Sequence, residues 1–303
     1  MKKQQDNNNV GNLTVSSVFG YCASDVNNNC NGDNTQQQHN HQKRNTNYYN
    51  GLSFLPNGPV NLPFLPNSSS NNLRMLHAQS GLLIAATGFS PDVDHILNMA
   101  AGRVFSRISV YDAPSFISSS STSGKSVDPH RLVREDLSSM MIDAAMSEGA
   151  RPLGIQLLVI GQSVLSSKRS NNSLEIYTID PSGGFRSCIG RGSAIGRGAQ
   201  GVCSSLMKEE KLNNNNYGWR GALDRAMLAA VDALESTDED GNIIERENSK
   251  YGAVVVFGKA SSLNSRVSTT SRCASVDSAI VEECYQRCCG HISSKKQHEH
   301  NIK

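Results

Sequence analysis

Of the 303 residues only 37% are hydrophobic and 18% charged, short of the ~45–50% apolar share (glycine counted) of ordinary globular domains. That excludes one continuous core of this length and points to a domain of normal make-up with polar flanks. A formal net charge of +2 provides no basic surface of the kind nucleic acid selects, and no run of 18 apolar residues offers a membrane-spanning helix. The eight cysteines lack the regular spacing of a disulfide framework, and no apolar run follows the basic start, Met1-Lys2-Lys3. The expectation is a soluble, intracellular chain with reduced thiols.

Residues 1–73 read as a disordered segment. The first 72 residues hold 18 Asn and 6 Gln, and too few apolar side chains remain to offset backbone entropy. Within it Phe54-Leu55-Pro56-Asn57 recurs as Phe64-Leu65-Pro66-Asn67, a duplication read as spacer rather than as docking patches. The folded domain is expected over residues 74–260. Residues 81–86 are an apolar run of strand length. Ser90-Pro91-Asp92 supplies an N-cap hydroxyl, a proline at the first helical position and an acid at the positive end of the dipole. Val93, Ile96, Leu97, Ala100, Ala101, Val104 and Phe105 follow at helical spacing. After a Ser-rich insertion at residues 115–126, Asp128-Pro129 starts a second helix. Its stripe is Leu132, Val133, Leu137, Met140, Met141, Ala144 and Ala145, and Gly149 stops it. Two such helices in succession predict an antiparallel pair on one sheet face.

Residues 154–160 are apolar enough for a central strand, and residues 163–173 form a polar loop. Residues 174–178 alternate as a half-buried strand does. Asp180-Pro181-Ser182-Gly183-Gly184 has the composition of a tight turn, with residues 185–189 returning, so this region is an antiparallel hairpin and not a βαβ crossover. A third helix is predicted over residues 198–210. After an Asn213–Asn216 loop, a fourth carries Trp219, Leu223, Met227, Ala230, Val231 and Leu234. An acidic loop at residues 238–247 and a closing strand at 253–257 follow. Residues 261–303 show no periodicity and are expected as a polar tail. The order predicts an α+β fold of helices layered on antiparallel sheets, and disfavours a doubly wound parallel sheet.

Several residue groups have chemistry-bearing types without the matching context. Gly196 to Gly201 fits G-x-G-x-x-G, but no central strand precedes it and no acid follows at the position a dinucleotide site requires, so a turn into a packed helix explains the glycines. Cys284, Cys288, Cys289, His291, His298 and His300 crowd the tail, the histidines too loosely spaced for a closed zinc site. Ser182 and Cys203 are nucleophile-capable types without a base or a strained elbow. Arg151 is positioned to pair an acid on a neighbouring helix or a neighbouring subunit. Trp219 reads as packing.

Arg151-Pro152-Leu153-Gly154 and the strand behind it, the first of four such motifs, are similar to the Arg-Pro-(Phe/Leu)-Gly strand of proteasome alpha-type subunits. Ile176 to Gly183 resembles their Leu-Tyr-Gln-Thr-Asp-Pro-Ser-Gly hairpin. Ser193 to Gln200 is similar to their Ala-Ile-Gly-Lys/Arg-Gly helix start, and Thr87-Gly88-Phe89-Ser90-Pro91-Asp92 to the turn before their first long helix. The resemblance covers about residues 74–259. It implies the four-layer αββα sandwich of N-terminal-nucleophile hydrolases, in a non-catalytic structural subunit of an outer ring of the 20S core particle. The positions it singles out are Gly88, Asp92, Arg151, Pro152, Gly154, Asp180, Pro181, Ser182, Gly183, Ile195 and Gly196, with no catalytic, cofactor-binding or metal-binding residue among them. It further implies other alpha-type and beta-type subunits and the regulatory particle as partners, no nucleic acid, membrane, cofactor or small-molecule ligand, and a place in ubiquitin-dependent protein breakdown in cytoplasm and nucleus.

The gating tail, short helix and first strand pair of that family have no counterpart in residues 1–73. The expected sandwich therefore lacks its first strand pair and exposes a sheet edge, and gate function does not carry over. Two alternatives stand beside this. One is an αββα interaction module that does not assemble. The other is an active hydrolase exposing Thr14, Ser16 or Ser17 by processing, although no lysine-bearing strand pattern follows those residues.

Overall fold

The computed structural model describes residues 50–55, 60–61, 72–77, 80–111, 127–162, 174–188, 192–196, 198–210, 219–234, 251–256 and 273–300. In chain order they form β1 (Leu52–Phe54), β2 (Val60–Asn61), β3 (Leu73–His77), β4 (Leu82–Gly88) and α1 (Ser90–Tyr111). Next comes α2, one continuous helix made of Pro129–Arg131, a π-helical stretch Leu132–Leu137, and Ser138–Met146. Then follow β5 (Ile155–Gln162), β6 (Leu174–Ile179), β7 (Phe185–Ser187), α3 (Ala199–Glu210), α4 (Trp219–Leu234), β8 (Val254–Val256), β9 (Cys273–Val276) and α5 (Ser278–His300). The strands make two antiparallel sheets, a large one ordered β2-β3-β4-β5-β6-β7 and a small one ordered β1-β9-β8.

Alternation along the strands divides the interior into three cores. On one face of the large sheet, Ile84, Leu157 and Tyr177 meet Ile96 and Leu97 of α1 and Leu132 and Leu137 of α2. On the other face Met75, Leu83, Leu158 and Ile160 meet Val254, Val256 and Cys273 of the small sheet. A third core joins Val276, Val255 and Leu52 of the small sheet to Trp219, Met227 and Val231 of α4 and to Val281, Cys284, Tyr285, Cys288 and Ile292 of α5. The fold is α+β with two antiparallel sheets and helices packed on both.

The first helix pair covers one sheet face, as the succession of stripes predicts. Arg107, late in α1, forms ion pairs with Glu135 at 3.3 Å and Asp136 at 2.6 Å, early in α2, so the two helices run antiparallel. Leu132, Val133 and Leu137 of the π-helical stretch share the core side with Met141. Phe105 departs from expectation: it is 65% exposed, although Val104 beside it is buried in the core.

Two boundaries are corrected. Folded structure does not begin at residue 74: β1 and β2 lie upstream, in the segment expected to have none. They do not pair with each other. β1 lines β9 and β2 lines β3, so these flanks of the two sheets are covered rather than exposed. Nor are residues 261–303 a polar tail, since β9 is the middle strand of the small sheet and α5 contributes five buried side chains to the third core. Asp277 starts α5, its Oδ1 accepting from the Ala279 N–H at 3.0 Å. The Ser-rich insertion, the 163–173 loop, the Asn213–Asn216 loop and the acidic loop fall outside the described residues.

Candidate functional site

Register places the four motif segments at one end of the large sheet. Gly88, the last residue of β4, pairs with Ile155, the first of β5. Leu157 of β5 pairs with Ile179, which ends β6, and Ile179 pairs with Phe185, which begins β7. Gly196 joins the same end, donating its N–H to Oε1 of Gln156 at 3.1 Å.

Asp92 is the hub of this end. The helix start at Ser90-Pro91 sets it in the first turn of α1, facing the chain that enters β5. Both guanidinium ends of Arg151 reach its carboxylate, Nη1 to Oδ2 at 2.7 Å and Nη2 to Oδ1 at 2.8 Å. The Gly154 N–H donates to Oδ2 at 3.0 Å. Such a two-pronged arginine–carboxylate pair fixes orientation as well as distance. Nη1 also donates to the Pro152 carbonyl at 3.1 Å, and the guanidinium lies 5.2 Å from the centre of the Phe89 ring. Of the two partners the sequence left open for Arg151, the structure shows an acid on a helix of its own chain, while Phe89 stays 54% exposed beside it.

The Arg151 hydrogen bond holds the Asp92 carboxyl below its ordinary pKa; burial opposes this, and the Gly154 N–H and the charge of Arg151 add to it. A depressed folded-state value stabilises the fold above the unfolded pKa of ~3.9, and that stabilisation is lost as pH falls through the folded value. Asp92→Ala should cost about 2 kcal/mol near neutrality, because the Gly154 N–H loses its acceptor and the helix start loses its charge. Urea melts across pH should show the gap between wild type and Asp92→Asn closing below about pH 4. A gap that stays constant into acid would mean that the charge on Asp92 contributes nothing.

The remaining positions support this hub. Gly88 has φ +132°, and a Cβ there would stand 2.1 Å from the Gly154 carbonyl oxygen, so only glycine allows β4 and β5 to approach at this point. Gly196, with φ +91°, would place a Cβ 3.2 Å from Thr87 Oγ1. Ile195 is buried in the core between the sheets. Asp180, Pro181, Ser182 and Gly183 form the predicted tight turn, closed by Gly183 N–H to Asp180 O and Asp180 N–H to Gly184 O, each 2.8 Å. That turn is docked on α2, where the Ser138 hydroxyl donates to the Gly183 carbonyl. Ser182 is exposed at its tip and Cys203 half-buried on α3. Three contributors were not singled out from sequence: Gln156, Phe89 and Ser138. Gln156 carries a readable signal, a polar residue at the start of an otherwise apolar central strand.

The glycine-rich stretch is a helix start, as expected. Residues 192–195 form no strand, and Gly201 lets α3 approach α4, a Cβ there falling 3.1 Å from that of Ala233. In α5, Cys284 donates to Asp224 Oδ1 at 3.0 Å, with Arg287 on the same oxygen at 2.7 Å. The neighbouring Cys288, burial and Asp224 push the Cys284 pKa up, so it is a packed thiol. Among the described residues no three His, Cys, Asp or Glu side chains converge as metal ligands. The side chains of His298 and His300 lie outside the described set.

Three of the four motif segments are tied at one sheet end by an arginine–carboxylate pair, a glutamine–backbone bond and close glycine contacts, and the fourth, the hairpin turn, joins them through the β5–β6 ladder and docks on α2.

No family model matches the chain. A partial similarity runs to proteasome subunit alpha type-2 of Saccharomyces cerevisiae, 28% identical over 117 residues, which is 39% of this chain and 42% of the yeast protein. The chain therefore spans, in this match, about two fifths of that relative's length. Over part of its sequence, this chain resembles a proteasome alpha-type subunit.

Proposed function

We propose that the chain is a non-catalytic, structural subunit of alpha type in the outer ring of a 20S proteasome core, taking part in ubiquitin-dependent protein breakdown. The observation that carries this is the gathering of all four alpha-type motifs at one end of the large sheet, three of them bound together through Asp92, Arg151, Gly154, Gln156 and Gly196 and the hairpin joined to them through the β5–β6 ladder. Motifs dispersed over more than 100 residues of sequence make one physical unit, which fits a shared fold better than chance matches do. The succession of cores, helices on the large sheet, large sheet on small sheet, small sheet on helices, supports the four-layer αββα sandwich as the architecture. On this reading the partners are other alpha-type and beta-type subunits, with the regulatory particle beyond them, in cytoplasm and nucleus.

Gradient sedimentation of native lysate, blotting this chain beside a proteolytic core subunit, tests the proposal. Co-migration with the large particle is the expected result. Migration as a small species overturns it and leaves a free-standing module on the same scaffold.

A further inference from the structure

The segment that carries β1 has a near-copy ten residues on. Leu52-Ser53-Phe54-Leu55-Pro56-Asn57 is followed by Leu62-Pro63-Phe64-Leu65-Pro66-Asn67, and only the second position differs. One residue upstream, Gly51 corresponds to Asn61.

The first copy is seated along β9, on the side away from β8. Leu55 N–H donates to the Cys273 carbonyl at 3.0 Å, and Asp277 N–H donates to the Gly51 carbonyl at 2.9 Å. Mutually bonded pairs recur every second residue in an antiparallel ladder. Ser53 and Ser275, partners in register, are therefore the pair that exchanges both bonds, while the N–H groups of Leu52 and Phe54 point away from β9. The Ser275 hydroxyl adds a bond to the Ser53 carbonyl at 3.3 Å. Leu52 packs into the outer core and Leu55 into the core between the sheets.

Leu62, Phe64 and Leu65 have the side chains to make the same apolar contacts, so burial does not separate the copies. Two backbone demands do. Pro63 stands where Ser53 donates its N–H, and proline has none to give. Asn61 stands where Gly51 adopts φ +83°, with a Cβ position 2.0 Å from Ile280 Cδ1; asparagine meets strain and overlap there that glycine escapes.

We propose that this flank of β9 is a sequence-selective strand-binding site. Its ligand is an extended Gly-Leu-Ser-Phe-Leu peptide, supplied in cis by residues 51–55, and Gly51 and Ser53 are the residues by which it accepts the first copy and rejects the second. Affinity comes from the main-chain ladder, as in other strand additions, and register from the two leucines on opposite faces. The proposal does not depend on proteasome assembly and is tested on the purified full-length chain.

Site-resolved hydrogen exchange on the unaltered protein is the first arm. The amides of Ser53 and Leu55 should exchange roughly tenfold more slowly than that of Leu52, about the factor one net backbone hydrogen bond supplies. Equal rates at these three amides overturn the proposal, whatever any variant does. The second arm uses Ser53→Pro, with Ser53→Thr as the control that keeps the N–H. Ser53→Pro should speed exchange at Ser275. A synthetic peptide of residues 50–57 should then bind that variant and restore the protection, whereas a peptide of residues 60–67 should not. Binding of both peptides alike, binding of neither, or unchanged Ser275 exchange in Ser53→Pro would each refute the site.

Discussion

Gly88→Ala should lower the unfolding free energy by about 4 kcal/mol or more, the largest effect of any single methyl group added at the motif end of the sheet. The added Cβ would stand 2.1 Å from the Gly154 oxygen, 2.9 Å from Ile155 Cα and 3.0 Å from the Gly154 carbonyl carbon. All three are backbone atoms, so no side chain can swing aside. A φ of +132° is a region that residues with a Cβ scarcely enter. Relief requires parting β4 from β5 at the Gly88–Ile155 pair, and that withdraws the 3.0 Å bond from Phe89 N–H to the Gly154 carbonyl. It also tilts the first turn of α1, carrying Asp92 off the Gly154 N–H. Urea titration gives the value directly. Gly102→Ala is the comparison, because nothing lies within 4 Å of its Cβ position in α1, and it should gain up to about 1 kcal/mol from helix propensity. A Gly88→Ala protein as stable as wild type would mean that the two strands do not approach this closely.

Gly183→Ala should cost about 3 kcal/mol by prising the hairpin turn from α2. With φ +81°, a Cβ there meets Ile142 Cγ1 at 2.5 Å, the Ser138 carbonyl oxygen at 2.8 Å and Ile142 N at 3.0 Å. The bond from the Ser138 hydroxyl to the Gly183 carbonyl would be lost with the contact. Part of the overlap is side chain and part backbone, and a second substitution separates them. Ile142→Ala clears Cγ1 but leaves the Ser138 carbonyl in place, so combining it with Gly183→Ala should recover only a minor share of the loss in a thermal melt. Full recovery would assign the whole constraint to the Ile142 side chain.

Sequence patterning located β4, β5, the β6–β7 hairpin, α3 and α4 to within a residue or two, and the start of α1, whose stripe ended at Phe105 although the helix continues to Tyr111. Asp92 and Arg151 were legible as motif positions, but their partnership was not, because 59 residues separate them. The α5 helix was missed for a specific reason. Its stripe of Val281, Cys284, Tyr285, Cys288 and Ile292 has ordinary helical spacing, yet half-recognised cysteines among histidines invite a metal interpretation, while Cys here behaves as a small apolar residue. Asp277, an available N-cap just ahead of the stripe, was the signal that could have found it. β1 offered no such chance. A three-residue strand has no period to read, and it exists only because β9 lies beside it. The π-helical stretch left no mark in the pattern, because Val133 and Leu137 keep the four-residue step of an α-helix.

The pairing of Ser53 with Ser275 spans 222 positions of chain, and this sets an order on synthesis. Among the described residues the large sheet is complete at Ser187, so it can close once that residue has left the ribosome. At about 5–20 residues per second, the small sheet waits several seconds longer for residues 273–276, and the earliest-made strand is among the last to find its place. During that interval residues 50–55 and the inner face of the large sheet have no partner, and this is when a nascent copy of the protein is most open to chaperones and to mispairing with its neighbours on a polysome.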